Sequence, residues 1–144
     1  PLLSQRQISF IQGQRVARFA TANGKGIPHL VPVCFALARE TVYIALDAKP
    51  KQITPLRLKR MRNIMENPRV SLLFDRYNED WTQLAWVRLD GNAEVVRAIL
   101  GRQQALGLLR ARYPQYETML PQDAPVIAVR IEYASSWGDL ADSA

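Results

Sequence analysis

Short segments that alternate apolar and polar residues, each bounded by a turn signal, dominate this sequence. The strongest signal is Asn23-Gly24-Lys25-Gly26, because asparagine and glycine accept the positive φ angles that a tight hairpin needs. It is flanked by predicted strands at residues 15–21 and 27–37. Strands so closely spaced pair as antiparallel neighbours, and the chain has no regular alternation of strands and helices. The pattern therefore favours a closed antiparallel barrel over a parallel, doubly wound sheet.

The remaining elements fit one mainly β domain over residues 1–144, with helices packed outside the barrel. Pro28 and Pro32 indicate that the second strand lies at an edge, contains a bulge or begins irregularly. Asp90-Gly91 indicates a turn or bulge within a long β segment, which is either one strand or two. Further strands are predicted at residues 41–46, 70–74, 85–96 and 124–133, and helices at residues 4–11, with Ser4 as the N-cap, and 99–112.

Length and composition are those of an ordinary folded domain, with 144 residues, of which 48% are hydrophobic and 22% charged. The single cysteine, Cys34, excludes an internal disulfide, and with one histidine in the chain no metal site is expected. The longest uncharged apolar stretch, residues 26–38, contains two prolines and is too short to span a bilayer. The chain does not open with an export leader, so a cytoplasmic protein without a membrane partner is expected.

Positive charge is concentrated in one short window. The chain has 19 basic and 13 acidic residues, and six of the basic ones lie in this window with no acid among them: Lys49, Lys51, Arg57, Lys59, Arg60 and Arg62. The rest of the chain is therefore neutral overall. A compact cluster suits a discrete polyanion such as a phosphate, whereas general nucleic-acid affinity calls for a more uniformly basic surface. A solvated helix face is the alternative interpretation.

A helix is predicted to cross this basic window, because Thr54 suits an N-cap, Pro55 suits the first helical position and Asn67-Pro68 ends the pattern. Its apolar stripe is predicted to consist of Leu58, Met61 and Met65. Helical periodicity places Arg57 and Arg60 at the margin of that stripe and Lys59 and Arg62 on the far side. A helix start beside lysine and arginine attracts anions, so a phosphate or carboxylate is the expected ligand.

The sequence contains no recognisable catalytic constellation, and no catalytic residue is assigned. One histidine and scattered carboxylates provide neither a nucleophilic triad nor an acid–base pair, and no Walker or GxGxxG loop is present. Cys34 is interpreted as a small buried residue. Three tryptophans either line the pocket of a planar ligand or pack in the core, and composition leaves both interpretations open: Trp81, Trp86 and Trp137.

The run Arg-Met-Arg-Asn-Ile-Met-Glu-Asn-Pro-Arg-Val-Ser-Leu-Leu at residues 60–73 resembles a motif of the pyridoxamine 5′-phosphate oxidase-like split β-barrel superfamily. The hairpin at residues 18–32 and the stretch from Asp80-Trp81 through Trp86-Val87-Arg88 to residue 93 fit the same superfamily. Within it, Lys49-Pro50-Lys51 and the two tryptophan motifs resemble the branch of small enzymes that use the deazaflavin coenzyme F-420.

This resemblance implies a homodimer of six-stranded antiparallel split β-barrels with Greek-key topology and flanking α-helices, and two cofactor sites at the subunit interface. By position, Arg60 corresponds to the phosphate-binding basic residue three before the motif asparagine, Asn63, and Lys51 and Lys49 supply a second phosphate contact. Relatives often have another basic residue where this chain has Leu58, and Arg57 and Lys59 are the basic candidates nearby. On the second strand, the residues that edge the ring are Pro28, His29 and Val31.

The implied activity is hydride transfer between F-420 and an unidentified small molecule, which requires no protein nucleophile because the ring carries the reactivity. FMN is the alternative cofactor, since it shares the ribityl phosphate tail, and would make the protein an FMN-dependent relative of pyridoxamine-phosphate oxidase. A non-catalytic flavin or deazaflavin carrier is a second alternative. A nucleic-acid-binding barrel is not supported, because the excess charge is local and an aromatic-basic strand motif is absent.

Overall fold

Seven strands form one antiparallel sheet in the computed structural model, which describes residues 2–46 and 55–141. The strands are β1 (Ala17–Ala22), β2 (Pro28–Val33), β3 (Ala36–Ala38), β4 (Thr41–Ala45), β5 (Arg69–Arg76), β6 (Ala85–Val95) and β7 (Val126–Gly138). Their order across the sheet is β2-β1-β5-β6-β7-β4-β3. The helices are α1 (Gln5–Gly13), α2 (Pro55–Glu66), α3 (Ile99–Arg112) and α4 (Tyr116–Met119), and a 3₁₀ turn covers Trp81–Gln83.

The sheet is curled because its two edge strands follow one another in the chain. Only Cys34 and Phe35 separate β2 from β3, so the ends of the two edges lie within about 11 Å of each other. The predicted strand at residues 27–37 is therefore two strands, and the predicted closed barrel of six strands is corrected to a half-barrel of seven, in which β2 and β3 are the edges. The division occurs at Phe35, whose side chain is fully buried and whose backbone N–H donates to the Tyr113 hydroxyl at 3.0 Å rather than to a neighbouring strand.

The core fills the inside of this curled sheet. The inward positions of β1, β5 and β6 are apolar except at Thr21, and the rings of Phe35 and Phe74 pack edge to face with centroids 4.9 Å apart. Helix α3 packs through Ala105, Leu106 and Leu109 against a second, smaller cluster that includes Val126. Within the described residues, no helix is long and apolar enough to cross a membrane.

The bulge signal in β6 is confirmed, and β6 is one continuous strand. The pairing of β6 with β7 shifts register between Asp90 and Gly91. At Gly91 the facing strand comes so close that a Cβ atom would lie 2.1 Å from the Arg130 backbone oxygen, so only glycine fits without a shift of the backbone. Strand β7 also continues to Gly138, beyond the predicted end at residue 133, and pairs with both β6 and β4.

The predicted hairpin is confirmed and is attached to the end of α2. The Asn23 side-chain oxygen accepts hydrogen bonds from the backbone N–H groups of Lys25 and Ile27 at 2.9 and 3.0 Å, and Gly26 adopts a φ of +80°. The Gly24 N–H donates to a Glu66 carboxylate oxygen at 2.9 Å. The turn between β1 and β2 is thereby fixed to the last residue of α2.

Candidate anion and ring site

Helix α2 carries the described part of the basic window, and its orientation is largely as predicted. Lys59 and Arg62 are exposed, whereas Arg60 is half-buried at the margin of the packed face. The predicted apolar stripe requires a correction: Met65 is 65% exposed and Ile64, at 3% exposure, enters the core in its place. Met61 packs against the core as predicted.

Some members of the predicted phosphate cluster lie outside the part of the chain that the structure describes. Lys49, Lys51 and the predicted cap Thr54 are among these residues, and so are the side chains of Arg57 and Leu58. Their proposed roles stay predictions.

A buried hydrogen bond connects α2 to β1. The Asn63 side-chain amide donates to the Thr21 hydroxyl at 3.2 Å, and both residues are less than 5% exposed. Sequence reasoning missed Thr21, although it continues the inward alternation of Ala17 and Phe19 as the one polar member. Asn63 therefore holds the helix on the sheet, in addition to any contact with a ligand.

His29 lies beside this junction. It is the cross-strand partner of Thr21 on β2, and its imidazole is half-buried. Its Nδ1 atom is buried and has no hydrogen-bond partner within the described residues. Burial, and then the positive charges of Lys59 and Arg60, lower the pKa of His29 below its ordinary value of 6.5, so the imidazole is uncharged at neutral pH.

The other two predicted ring-edge residues of β2 lie on opposite faces of the sheet. Val31 is on the same face as His29 and packs partly buried against the core. Pro28 is exposed at the first position of the strand. The structure thus groups His29 with Lys59, Arg60 and Asn63, and leaves Pro28 on the outer face.

The tryptophans belong to that outer face or to its border. Trp86 on β6 and Trp137 on β7 are cross-strand partners, which places their side chains next to each other. Trp81 lies in the 3₁₀ turn that leads into β6 and is 70% exposed. None of the three is fully buried, so the interpretation as core residues is wrong for all of them.

A shallow apolar cavity of about 350 Å³ opens on the same outer face. Leu30, Leu73 and Trp86 line it, and Arg18 and Arg88 border it. Each arginine has a carboxylate within reach: Arg18 is 3.5 Å from Asp75, and Arg88 is 3.5 Å from Asp90. The sequence singled out Trp86 here, but the exposed Leu30 of β2 was missed.

The described residues contain no group of three histidine, cysteine, aspartate or glutamate side chains that could hold a metal ion. The described part of the site contributes two cations, one uncharged imidazole and a separate aromatic surface. Such a set has the chemistry to bind an anionic tail and to stack against a ring.

Comparison with known proteins identifies the family of the chain. A sequence profile described as pyridoxamine 5′-phosphate oxidase matches residues 3–138. The chain belongs to the pyridoxamine 5′-phosphate oxidase family. By that description, the family is one of oxidoreductases.

One curated relative is the 5a,11a-dehydrotetracycline/5a,11a-dehydrooxytetracycline reductase of Streptomyces rimosus, which is 31% identical over 72 residues. The match spans 50% of this chain and 48% of the relative, about half the length of each protein.

Solved structures share the fold over nearly the whole chain. A conserved hypothetical protein of Mycobacterium tuberculosis superposes with a TM-score of 0.72 at 21% identity, covering 94% of this chain and 85% of the other. An FAD-binding protein of Mesorhizobium loti gives a TM-score of 0.70 at 21% identity, covering 93% of this chain and 94% of the other. At this level of identity, the two structures establish the fold alone.

Proposed function

We propose that this chain is an oxidoreductase that binds the deazaflavin F-420, with its phosphorylated tail beside Lys59 and Arg60 and its ring at the edge of β2. The observation that carries the proposal is the convergence of these two cations with the buried Nδ1 of His29. A phosphate offers several acceptor oxygens and negative charge, which suit both the cations and an imidazole nitrogen that has no partner in the described residues.

The chain's own residues bind and orient the cofactor in this proposal. Lys59 and Arg60 hold the phosphate, with Lys49, Lys51 and Arg57 as further contacts from the same basic window. The bond between Asn63 and Thr21 keeps α2 at a fixed height above β1, so the cations stay in register with His29 on β2. The cofactor, when bound, supplies hydride transfer. No side chain is assigned as a nucleophile or as a general acid.

A homodimer with cofactor sites at the interface completes the proposal. The outer face of the sheet supports it, because several large apolar side chains there are exposed, among them Leu30 at 68%, Tyr133 at 59% and Trp137 at 54%. A second copy packed on this face would bury them, and it would exclude water from a ring lying beside Trp86. Arg18 and Arg88 of this face already pair with carboxylates on their own chain, which lowers the cost of burying these two charges.

The relative from Streptomyces rimosus supports reduction as the chemistry, since it is a reductase. FMN is the alternative cofactor, because it carries the same ribityl phosphate. A carrier that binds the cofactor without turnover is the alternative function. Cofactor titration distinguishes F-420 from FMN, and a turnover assay distinguishes an enzyme from a carrier.

The test is a titration of the purified protein with F-420, FMN and riboflavin, followed by absorbance and fluorescence. The proposal expects F-420 to bind more tightly than FMN, and riboflavin, which has no phosphate, to bind weakly. Tighter binding of FMN would make the chain an FMN protein, and failure of both to bind would overturn the proposed site. Oxidation of reduced F-420 with quinones, enones and tetrapyrroles then tests catalysis; rates no faster than without protein would favour the carrier.

The dimer is tested by the mass in solution, which should be twice 16.3 kDa at micromolar concentration. Trp137→Arg places a charge on the outer face and should shift the mass toward the monomer. Leu100→Arg is the matched control, because Leu100 is 73% exposed on α3, which packs on β3, β4 and the start of β7, at the other end of that strand from Trp137. A monomer that binds the cofactor with full affinity would contradict a site shared between subunits.

A further inference from the structure

We propose that His29 takes up one proton when an anion binds beside Lys59 and Arg60, so that anion binding at this site is linked to pH. This inference rests on the proposed function only for the identity of the natural anion, the phosphate of the cofactor. The linkage itself follows from the surroundings of the imidazole.

The hydrogen-bonding geometry penalises the charged form of His29 as long as the anion is absent. Protonation makes both ring nitrogens donors, yet Nδ1 is buried and has no acceptor within the described residues. A buried donor without an acceptor is costly. A phosphate or sulfate oxygen beside the ring supplies the missing acceptor. The bound anion therefore favours the protonated imidazole, which is disfavoured when the anion is absent.

The charges around the imidazole act in the same direction. In the described part of the chain, the charged groups that act on His29 are Lys59 and Arg60, both from α2. The paired strand β1 presents the uncharged Thr21 opposite it, and β2 is the last strand on this side of the sheet. The two cations lower the pKa of His29, together with burial. A bound dianion cancels the field of the two cations, so the part of the pKa lowering that they cause disappears.

Linkage between the two sites is reciprocal. If the anion raises the pKa of His29, protonation of His29 must strengthen anion binding by the same free energy. The gain in anion affinity appears as the pH falls through the pKa of His29. Anion binding therefore has a component that rises toward mildly acidic pH and disappears when the imidazole is removed.

The chain offers an unusually direct readout, because His29 is its one histidine. A pH titration of the imidazole resonances by NMR therefore reports a single group without assignment. Sulfate at matched ionic strength against chloride is the first probe, since its charge does not change over this pH range. FMN and F-420, each saturating, are the second, and riboflavin is the control that has the ring but no phosphate.

We expect sulfate and the bound cofactor to raise the pKa of His29 by about one pH unit, the size that one nearby charge produces at a partly exposed site. Riboflavin should leave it unchanged. Lys59→Gln should raise the pKa of His29 before any anion is added. The matched control Lys25→Gln should not, because Lys25 is an exposed lysine on the hairpin turn and does not act on the imidazole.

A second measurement uses binding alone. Sulfate affinity of the natural chain should rise about tenfold between the two limits of the His29 titration, whereas His29→Gln should give an affinity that is flat with pH. If F-420 binds and the pKa of His29 does not move, the linkage is wrong and the proposed function stands. If neither F-420 nor FMN binds while sulfate still raises the pKa, the proposed function is wrong and the linkage stands. If no probe, sulfate included, moves the pKa, the inference is overturned.

Discussion

Removal of the hydrogen bond between Asn63 and Thr21 should destabilise the whole fold, because this bond joins α2 to the sheet in a buried environment. Its two ends lie 42 residues apart in sequence, and the residues are 3% and 4% exposed. Two single variants, Asn63→Ala and Thr21→Val, and their double variant define a thermodynamic cycle. Thr21→Val replaces a hydroxyl by a methyl group of similar size, so it removes the acceptor without opening a large cavity.

The expected magnitude follows from burial. Each single variant leaves a buried polar group without its partner, which costs about 1–3 kcal/mol of unfolding free energy. In Asn63→Ala the lost side-chain volume adds a further cavity penalty. The double variant has no orphaned group, so its loss should be smaller than the sum of the two single losses by about 1 kcal/mol.

Urea denaturation followed by circular dichroism measures the unfolding free energies of the natural chain and the three variants. If the slope of unfolding free energy against urea concentration is the same for all four proteins, the unfolded state is unchanged. Thr82→Val is a matched control: Thr82 bonds to Asp80 at 2.7 Å, but it is exposed, so its variant should change stability little. A coupling energy of zero between Asn63 and Thr21 would refute the view that this bond holds α2 in place.

The remaining predictions concern charge, backbone space and pH. Arg60→Ala should lower the affinity for the phosphorylated cofactor roughly 10- to 100-fold, measured by fluorescence titration, with Lys25→Ala unchanged. Unaltered affinity would remove Arg60 from the site. Gly91→Ala should unfold or severely destabilise the protein, since its Cβ would lie 2.1 Å from a backbone oxygen. Gly107 lies in α3, and a Cβ atom added there would have no atom within 4 Å. Gly107→Ala should therefore be neutral or stabilising, and thermal melts of the two glycine variants measure the difference. The lowered pKa of His29 means that the unfolded chain binds its proton first, so unfolding free energy should fall as pH drops below 6.5 and less so in His29→Gln. An identical pH profile in that variant would argue against the lowered pKa.

Local chemistry explains the features of this protein that its sequence predicted correctly. The hairpin at Asn23-Gly24, the helix that opens at Pro55 and the bulge at Gly91 all depend on the φ preferences and hydrogen-bonding groups of adjacent residues. The N-cap at Ser4 is of the same kind, and its hydroxyl accepts from the Gln7 N–H at 3.1 Å. Such signals act over a few residues, so they can be recognised from the local sequence.

Tertiary structure decided what required distant residues to meet. Periodicity alone allowed either Ile64 or Met65 to join Met61 on the packed face of α2, since neighbours at i+3 and i+4 share one side of a helix, and only contact with the barrel selected Ile64. The split of the predicted second strand at Phe35 depends on Tyr113, which is 78 residues away. The meeting of Thr21, His29 and α2 likewise depends on strand pairing and helix docking. The sequence placed His29 at the ring through a resemblance, but the buried nitrogen beside two cations exists only once the chain has folded, because burial and electrostatic fields are properties of the whole arrangement.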